Sequence, residues 1–201
     1  YELWRSDGTE NGTTLVKEIY PGGSVFPAVG SGSRPLYLTV MKDIASNKNY
    51  LYFRANDGVN GEELWRSDGT ESGTTLVKDI NTGSGFSYPD YLTVMEDENG
   101  KNYLYFIAND GTNGYELWRS DGTDSGTTMV KNINPSGSSP LYLTVMEDIA
   151  SNKNYLYFSA NDGTHGYELW RSDGTESGTT LVKDINPSGD SIPYNLTVME
   201  D

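Results

Sequence analysis

The strings Tyr155-Leu156-Tyr157-Phe158 and Leu143-Thr144-Val145-Met146 carry apolar or aromatic side chains on both of their alternating faces. An antiparallel sheet with one face in water alternates between apolar and polar side chains, so these segments predict sheets covered on both sides. Four strands of this kind are predicted over one stretch of chain: Leu143–Glu147, Tyr155–Ala160, Tyr167–Ser172 and Thr179–Ile185. All are rich in β-branched and aromatic residues and are bounded by Gly, Asn, Asp, Ser or Pro. Two of the connections, residues 161–166 and 173–178, place Gly after Asp, where positive φ is easily adopted, and predict tight antiparallel hairpins. No segment shows a sustained helical period.

The same pattern recurs along the whole chain. Glu-Leu-Trp-Arg-Ser-Asp-Gly-Thr begins at Glu2, Glu63, Glu116 and Glu168, with Trp4, Trp65, Trp118 and Trp170 separated by 61, 53 and 52 residues. Tyr-Leu-Tyr-Phe begins at Tyr50, Tyr103 and Tyr155, and Leu-Thr-Val-Met at Leu38, Leu92, Leu143 and Leu196. The extra length of the first interval falls between Ile19 and Leu38, where an insertion belongs in a surface loop. The chain thus divides into units of approximately 1–61, 62–114, 115–166 and an incomplete 167–201, forming one repeat domain over residues 1–201. Four-stranded units near 52 residues, each sandwiched between like neighbours, predict an all-β fold of the β-propeller type. A β-solenoid is the alternative. Four blades of four strands need sixteen strands and the sequence offers fifteen, lacking a fourth Tyr-Leu-Tyr-Phe. Either the chain is a segment of a longer repeat array, or a neighbouring subunit donates the strand to an open edge.

Composition removes whole classes of function. With 14 basic against 29 acidic residues, a net charge of −15 repels phosphate backbones and anionic membrane surfaces. No apolar run is long enough for a membrane-spanning helix. There is no cysteine, hence no thiol chemistry or disulfide, and a single histidine, His165, which stands where Asn60 and Asn113 stand in other repeats. That histidine reads as a tolerated loop substitution.

Glu-Leu-Trp-x-x-Asp-Gly-Thr, matched in all four copies, resembles the bacterial ELWxxDGT repeat family, and Leu156–Gly163 running into Gly166–Trp170 extends the match. The resemblance implies a kelch-like propeller layout and a secreted or cell-surface setting. It implies no catalytic residues.

The repeated motif residues Glu2, Trp4, Arg5 and Asp7 recur as Glu63, Trp65, Arg66 and Asp68, as Glu116, Trp118, Arg119 and Asp121, and as Glu168, Trp170, Arg171 and Asp173. The acids Asp7, Asp68, Asp121 and Asp173 in one turn, and Asp57, Asp110 and Asp162 in another, are candidate Ca²⁺ ligands, because hard cations take carboxylate oxygens. Turn chemistry explains the same residues, since Asp bonds its own backbone. The aromatic rings offer either packing between blades or flat platforms for pyranose rings, with Tyr142, Tyr167 and Tyr194 as the exposed exceptions. The four arginines predict a repeated clamp on backbone or carboxylate groups, or a ring lining a central channel. No pair of acids stands out as breaking the repeat, so no glycosidase-type carboxylate pair is singled out. These readings lead to an expected non-enzymatic, extracellular structural or adhesive protein that self-assembles into a filament or matrix, or contacts other surface components. A ligand-binding propeller, lectin-like or protein-binding and aided by Ca²⁺, is the alternative. No other cofactor is expected.

Overall fold

The computed structural model describes residues 1–21, 32–148 and 151–199. They form fourteen strands and no helix. A two-stranded sheet, β1 (Leu3–Arg5) and β2 (Thr14–Lys17), is followed by three four-stranded antiparallel meanders. The first meander contains β3 (Leu36–Asp43), β4 (Lys48–Asn56), β5 (Glu62–Ser67) and β6 (Thr75–Lys78). The second contains β7 (Asp90–Glu96), β8 (Asn102–Asn109), β9 (Tyr115–Ser120) and β10 (Thr128–Lys131). The third contains β11 (Leu141–Asp148), β12 (Lys153–Asn161), β13 (Tyr167–Ser172) and β14 (Thr180–Lys183).

Every expected hairpin forms, and each sheet keeps its strands in chain order. Each four-stranded meander begins with the Leu-Thr-Val-Met strand, so the sequence repeat and the meander are out of phase: the Glu-Leu-Trp strand opens a repeat but stands third in its meander. The count of fifteen strands is corrected to fourteen, because Leu196–Met199 has no ladder partner among the described residues. Nor do the sheets close into a ring among those residues.

The first two meanders are covered on both sides, as their two-faced apolar pattern demands, whereas the third meander and the two-stranded sheet are each covered on one side among the described residues. Tyr52 and Leu64 of one meander pack against Leu104, Phe106 and Trp118 of the next. Tyr105 and Leu117 pack in turn against Leu156, Phe158 and Trp170. A third layer joins Leu3 and Val16 to Phe53 and Trp65. The first strands run side by side, β7 touching both β3 and β11, which brings the starts of three sheets together. Trp65, Trp118 and Trp170 are therefore packing residues, whereas Trp4, on the two-stranded sheet, is 59% exposed.

Polar groups tie consecutive sheets. Arg5 donates through Nη1 to the carbonyl of Gly69 (3.1 Å), and Arg119 does the same to Gly174 (2.9 Å). Lys17, Lys78 and Lys131 reach the carbonyls of Glu71, Asp124 and Thr179 in the next Asp-Gly hairpin. The guanidinium groups of Arg66, Arg119 and Arg171 also lie over the rings of Tyr50, Tyr103 and Tyr155, about 5 Å from each centroid. The arginines are clamps on the neighbouring hairpin or ring; they do not line a channel.

Candidate functional site

The motif glutamates perform the least expected task. Glu63, Glu116 and Glu168 are fully buried. A buried carboxylate is costly unless hydrogen-bonded, and each of these accepts bonds from the connector that leads to the next sheet. Glu63 accepts from the backbone N–H of Ile80 (2.9 Å) and Ser87 (3.0 Å) and from the Ser87 hydroxyl. Glu116 grips Ile133, Asn134 and Ser138 in the same way, Glu168 grips Ile185 and Ser191, and Glu2 grips Ile19 and Ser33. Burial pushes the Glu63 carboxyl up to about 7 against the pull of these bonds, and raises Glu116 in the same direction.

Just beyond each grip the backbone enters the left-handed region twice, three residues apart. The pairs are Arg34 and Tyr37, Tyr88 and Tyr91, Ser139 and Tyr142, and Ile192 and Asn195, with φ between 44° and 61°. Non-glycine residues adopt this conformation at a cost of about 1–3 kcal/mol, so surrounding bonds must enforce it. The first member of each pair precedes a proline and is held through its N–H by the carbonyl of Tyr1, Glu62, Tyr115 or Tyr167. The second member falls in a bulge of the first ladder, between Leu36 and Thr39, Asp90 and Thr93, or Leu141 and Thr144. A bulge re-aims a side chain. Here it brings three tyrosines to one place: the Tyr91 and Tyr142 rings meet edge to face at 6.1 Å. Burial, then Asp90, Tyr142 and Tyr37, raise the pKa of the Tyr91 hydroxyl and so hold it protonated.

Beside this cluster a cleft of about 400 Å³ opens. Tyr88, Tyr91 and Tyr115 supply its rings, Ile107 and Leu141 its aliphatic surface, and Arg54, Asp90 and Ser139 its polar groups. Arg54 lies over the Tyr37 ring at 4.9 Å and the Tyr88 ring at 5.6 Å, while its Nε is paired with Glu62 at 3.0 Å. Tyr88 stacks on Phe86 at 5.4 Å, continuing the aromatic surface outward.

The repeat gives this cleft its meaning. Arg54 stands where the other sheets have Ile107 and Ser159; Glu62 replaces the tyrosine of Tyr115 and Tyr167; Asp90 replaces Leu36 and Leu141. Glu62 and Asp90 are thus a pair of acids that depart from the repeat, and the expectation that none stands out is corrected. They were missed because each looks like a neutral loop change until the fold brings them beside one tyrosine. Tyr115 records the meeting: burial first raises its pKa, Tyr88, Asp90 and Glu62 push the same way, and Arg54 pulls against them.

The candidate calcium ligands lie elsewhere, in turns that each of them bonds. Asp68 accepts the backbone N–H (3.0 Å) and hydroxyl (2.7 Å) of Thr70, and Asp7, Asp121 and Asp173 repeat that turn. Asp57, Asp110 and Asp162 accept the two following N–H groups and the side chain of Asn60, Asn113 or His165. Among the described residues no three acids or histidines are grouped to hold a metal. At all seven positions the carboxylate serves the turn chemistry that is the other reading of these residues. Of the tyrosines expected to be exposed, Tyr142 and Tyr194 are, whereas Tyr167 is half-buried.

No family model matches this chain, and no curated protein matches it. Among solved structures, the chain is similar to a putative exo-beta-1,3-galactanase from Bifidobacterium bifidum s17, at 18% identity and a TM-score of 0.40. The match covers 83% of this chain and 56% of that one, so the chain spans little more than half of that protein. The expectation of a non-enzymatic structural or adhesive protein is corrected here, because the similar structure carries an enzyme's name. Neither filament assembly nor an absence of catalysis is carried forward. At this level of likeness no residue role passes from that protein to this one.

Proposed function

We propose that the protein recognises saccharides in the cleft beside Tyr91, at the converging starts of three sheets arranged as propeller-type blades. The observation that carries this reading is the gathering of unrepeated polar residues, Arg54, Glu62 and Asp90, with rings held at strained backbone positions. Pyranose rings present apolar faces to aromatic side chains and hydroxyls at their edges, so a ligand of this kind uses both components. A quaternary ammonium ligand fits less well, because Arg54 already occupies the faces of Tyr37 and Tyr88. A second reading, glycoside hydrolysis, is favoured by one specific feature: Glu62 and Asp90 are two carboxylates at one site, the residue types that such chemistry needs.

Screening the intact protein against an array of soluble oligosaccharides tests the proposal, followed by calorimetry with Tyr91→Asn. Asn195 occupies the equivalent left-handed position in this same chain, so the variant keeps the fold and removes only the ring. Saccharide binding that is lost in Tyr91→Asn supports the reading. Binding that survives the change, or no binding to any saccharide, overturns it. Release of new reducing ends, absent in Asp90→Asn, would establish the hydrolytic reading.

A further inference from the structure

The cleft carries a donor and an acceptor of opposite charge. Arg54 lines the cleft with its Nε paired to Glu62, and among the described residues its terminal amino groups make no hydrogen bond. Its guanidinium lies against the rings of Tyr37 and Tyr88 and is largely buried, with 13% of the side chain exposed. Asp90 accepts the N–H of Tyr91 through Oδ1 (2.7 Å), leaving Oδ2 for a ligand. A fixed fork of N–H donors together with a carboxylate acceptor matches adjacent hydroxyls, which donate and accept at once. The charges also select. Glu62 faces Arg54 at 3.0 Å and the half-exposed Arg34, which does not line the cleft, at 4.0 Å; no described cation pairs with Asp90, so a ligand carboxylate would meet Asp90 within a protein of net charge −15.

From this arrangement we infer that the cleft is specific for uncharged glycosyl chains, with Arg54 and Asp90 as the residues that set specificity against uronic acids. The inference rests on the saccharide reading above and adds the class of sugar. Asp90 is the filter against acidic sugars, and the Arg54–Glu62 pair is what the second sheet gained when it departed from the repeat.

Calorimetry with neutral oligosaccharides and their uronic-acid counterparts tests it. The expected result is binding of the neutral chains at least about tenfold tighter than of the uronides, as like charges facing each other across a binding site disfavour a partner. Asp90→Asn should raise uronide affinity about tenfold and close most of that gap. Replacing Arg54→Ile together with Glu62→Tyr restores the residues that Ile107 and Tyr115 supply in the next sheet, so the double variant retains a packing the molecule already uses. It should lose neutral-chain affinity about tenfold or more, on the scale of lost charge-assisted hydrogen bonds. Uronides bound as tightly as neutral chains, or a ratio that Asp90→Asn leaves unmoved, would overturn the inference while leaving saccharide recognition intact. Failure of every saccharide to bind overturns the underlying reading instead.

Discussion

The two ends of the sheets are built from the same repeat and have opposite characters. At one end lie the Ser-Asp-Gly-Thr hairpins, nearly invariant from copy to copy. In each, the Ser67-type and Thr74-type hydroxyls bond at 2.7 Å, Gly69 bonds the serine, Thr70 bonds Asp68, and Gly73 bonds Thr70. The serine and threonine hydroxyls and one oxygen of each aspartate are committed to the turn, and Arg and Lys of the preceding sheet close over it. At the other end lie the connectors, whose residues differ between copies and whose tyrosines stand at strained positions around a cleft. A chain that repeats itself supplies its own control: what stays the same in every copy serves folding, and what departs in one copy is free to serve something else.

The comparison can be broken most severely through the buried glutamates beneath the connectors. Glu63→Ala leaves the buried N–H of Ile80 without its acceptor, at about 1–3 kcal/mol, and takes the carboxylate from the Ser87 hydroxyl and N–H, the latter keeping only the Glu62 carbonyl. Urea unfolding should show a loss of about 3 kcal/mol, and the cleft should lose ligand along with its connector. At the hairpin end the penalty is smaller. A Cβ at Gly73 would collide with the Asp68 carboxylate, so Gly73→Ala must expel that side chain from its turn. The expected cost is about 1–2 kcal/mol in the same assay, with ligand binding unchanged.

Acidity acts on the two ends in opposite directions. Glu63 has its folded pKa raised from 4.5 to about 7, so its share of stability is complete below 4.5 and is lost as pH climbs through 7. Glu116 and His165 are also raised: the former by burial, the latter by its hydrogen bond to Asp162. The hairpin acids Asp7 and Asp68 are lowered by their bonds to Thr9 and Thr70, and their contribution is lost as pH falls below the ordinary 3.8. Thermal unfolding should therefore give a maximum Tm near pH 5, falling towards pH 8 and again below pH 4. A Tm that rises steadily from pH 5 to pH 8 would contradict the buried-glutamate account. The smallest stability effect belongs to Tyr91→Asn, within about 0.5 kcal/mol of the parent, because asparagine tolerates positive φ. Its readout is the loss of binding with the fold retained.

The strands, hairpins and their order were legible because they are local: alternation, Asp-Gly turns and the repeat act within a few residues. The tryptophan packing was legible in outline for the same reason. The glutamate grips were not, since Glu63 and Ser87 lie 24 residues apart and nothing in either string names the other. The tyrosine bulges also escaped notice, as tyrosine carries no signature for positive φ. Asn195 was the available clue, being the residue that favours that backbone at the fourth copy. The cleft was written in the sequence as departures from the repeat at Arg54, Glu62 and Asp90, but only the fold shows that three scattered changes share one address.

Each glutamate holds its connector at two points, and only one of the two is at a fixed distance. The near grip is always 17 residues on, at Ile19, Ile80, Ile133 and Ile185. The far grip, on a serine, lies 31, 24, 22 or 23 residues away. Nearly all variation in length therefore falls between the two anchors, the exception being a β7–β8 turn one residue shorter than its counterparts. The connector is a splice site in protein form: a segment of new length can be set between the anchors without renegotiating the fold, and it is delivered beside the cleft.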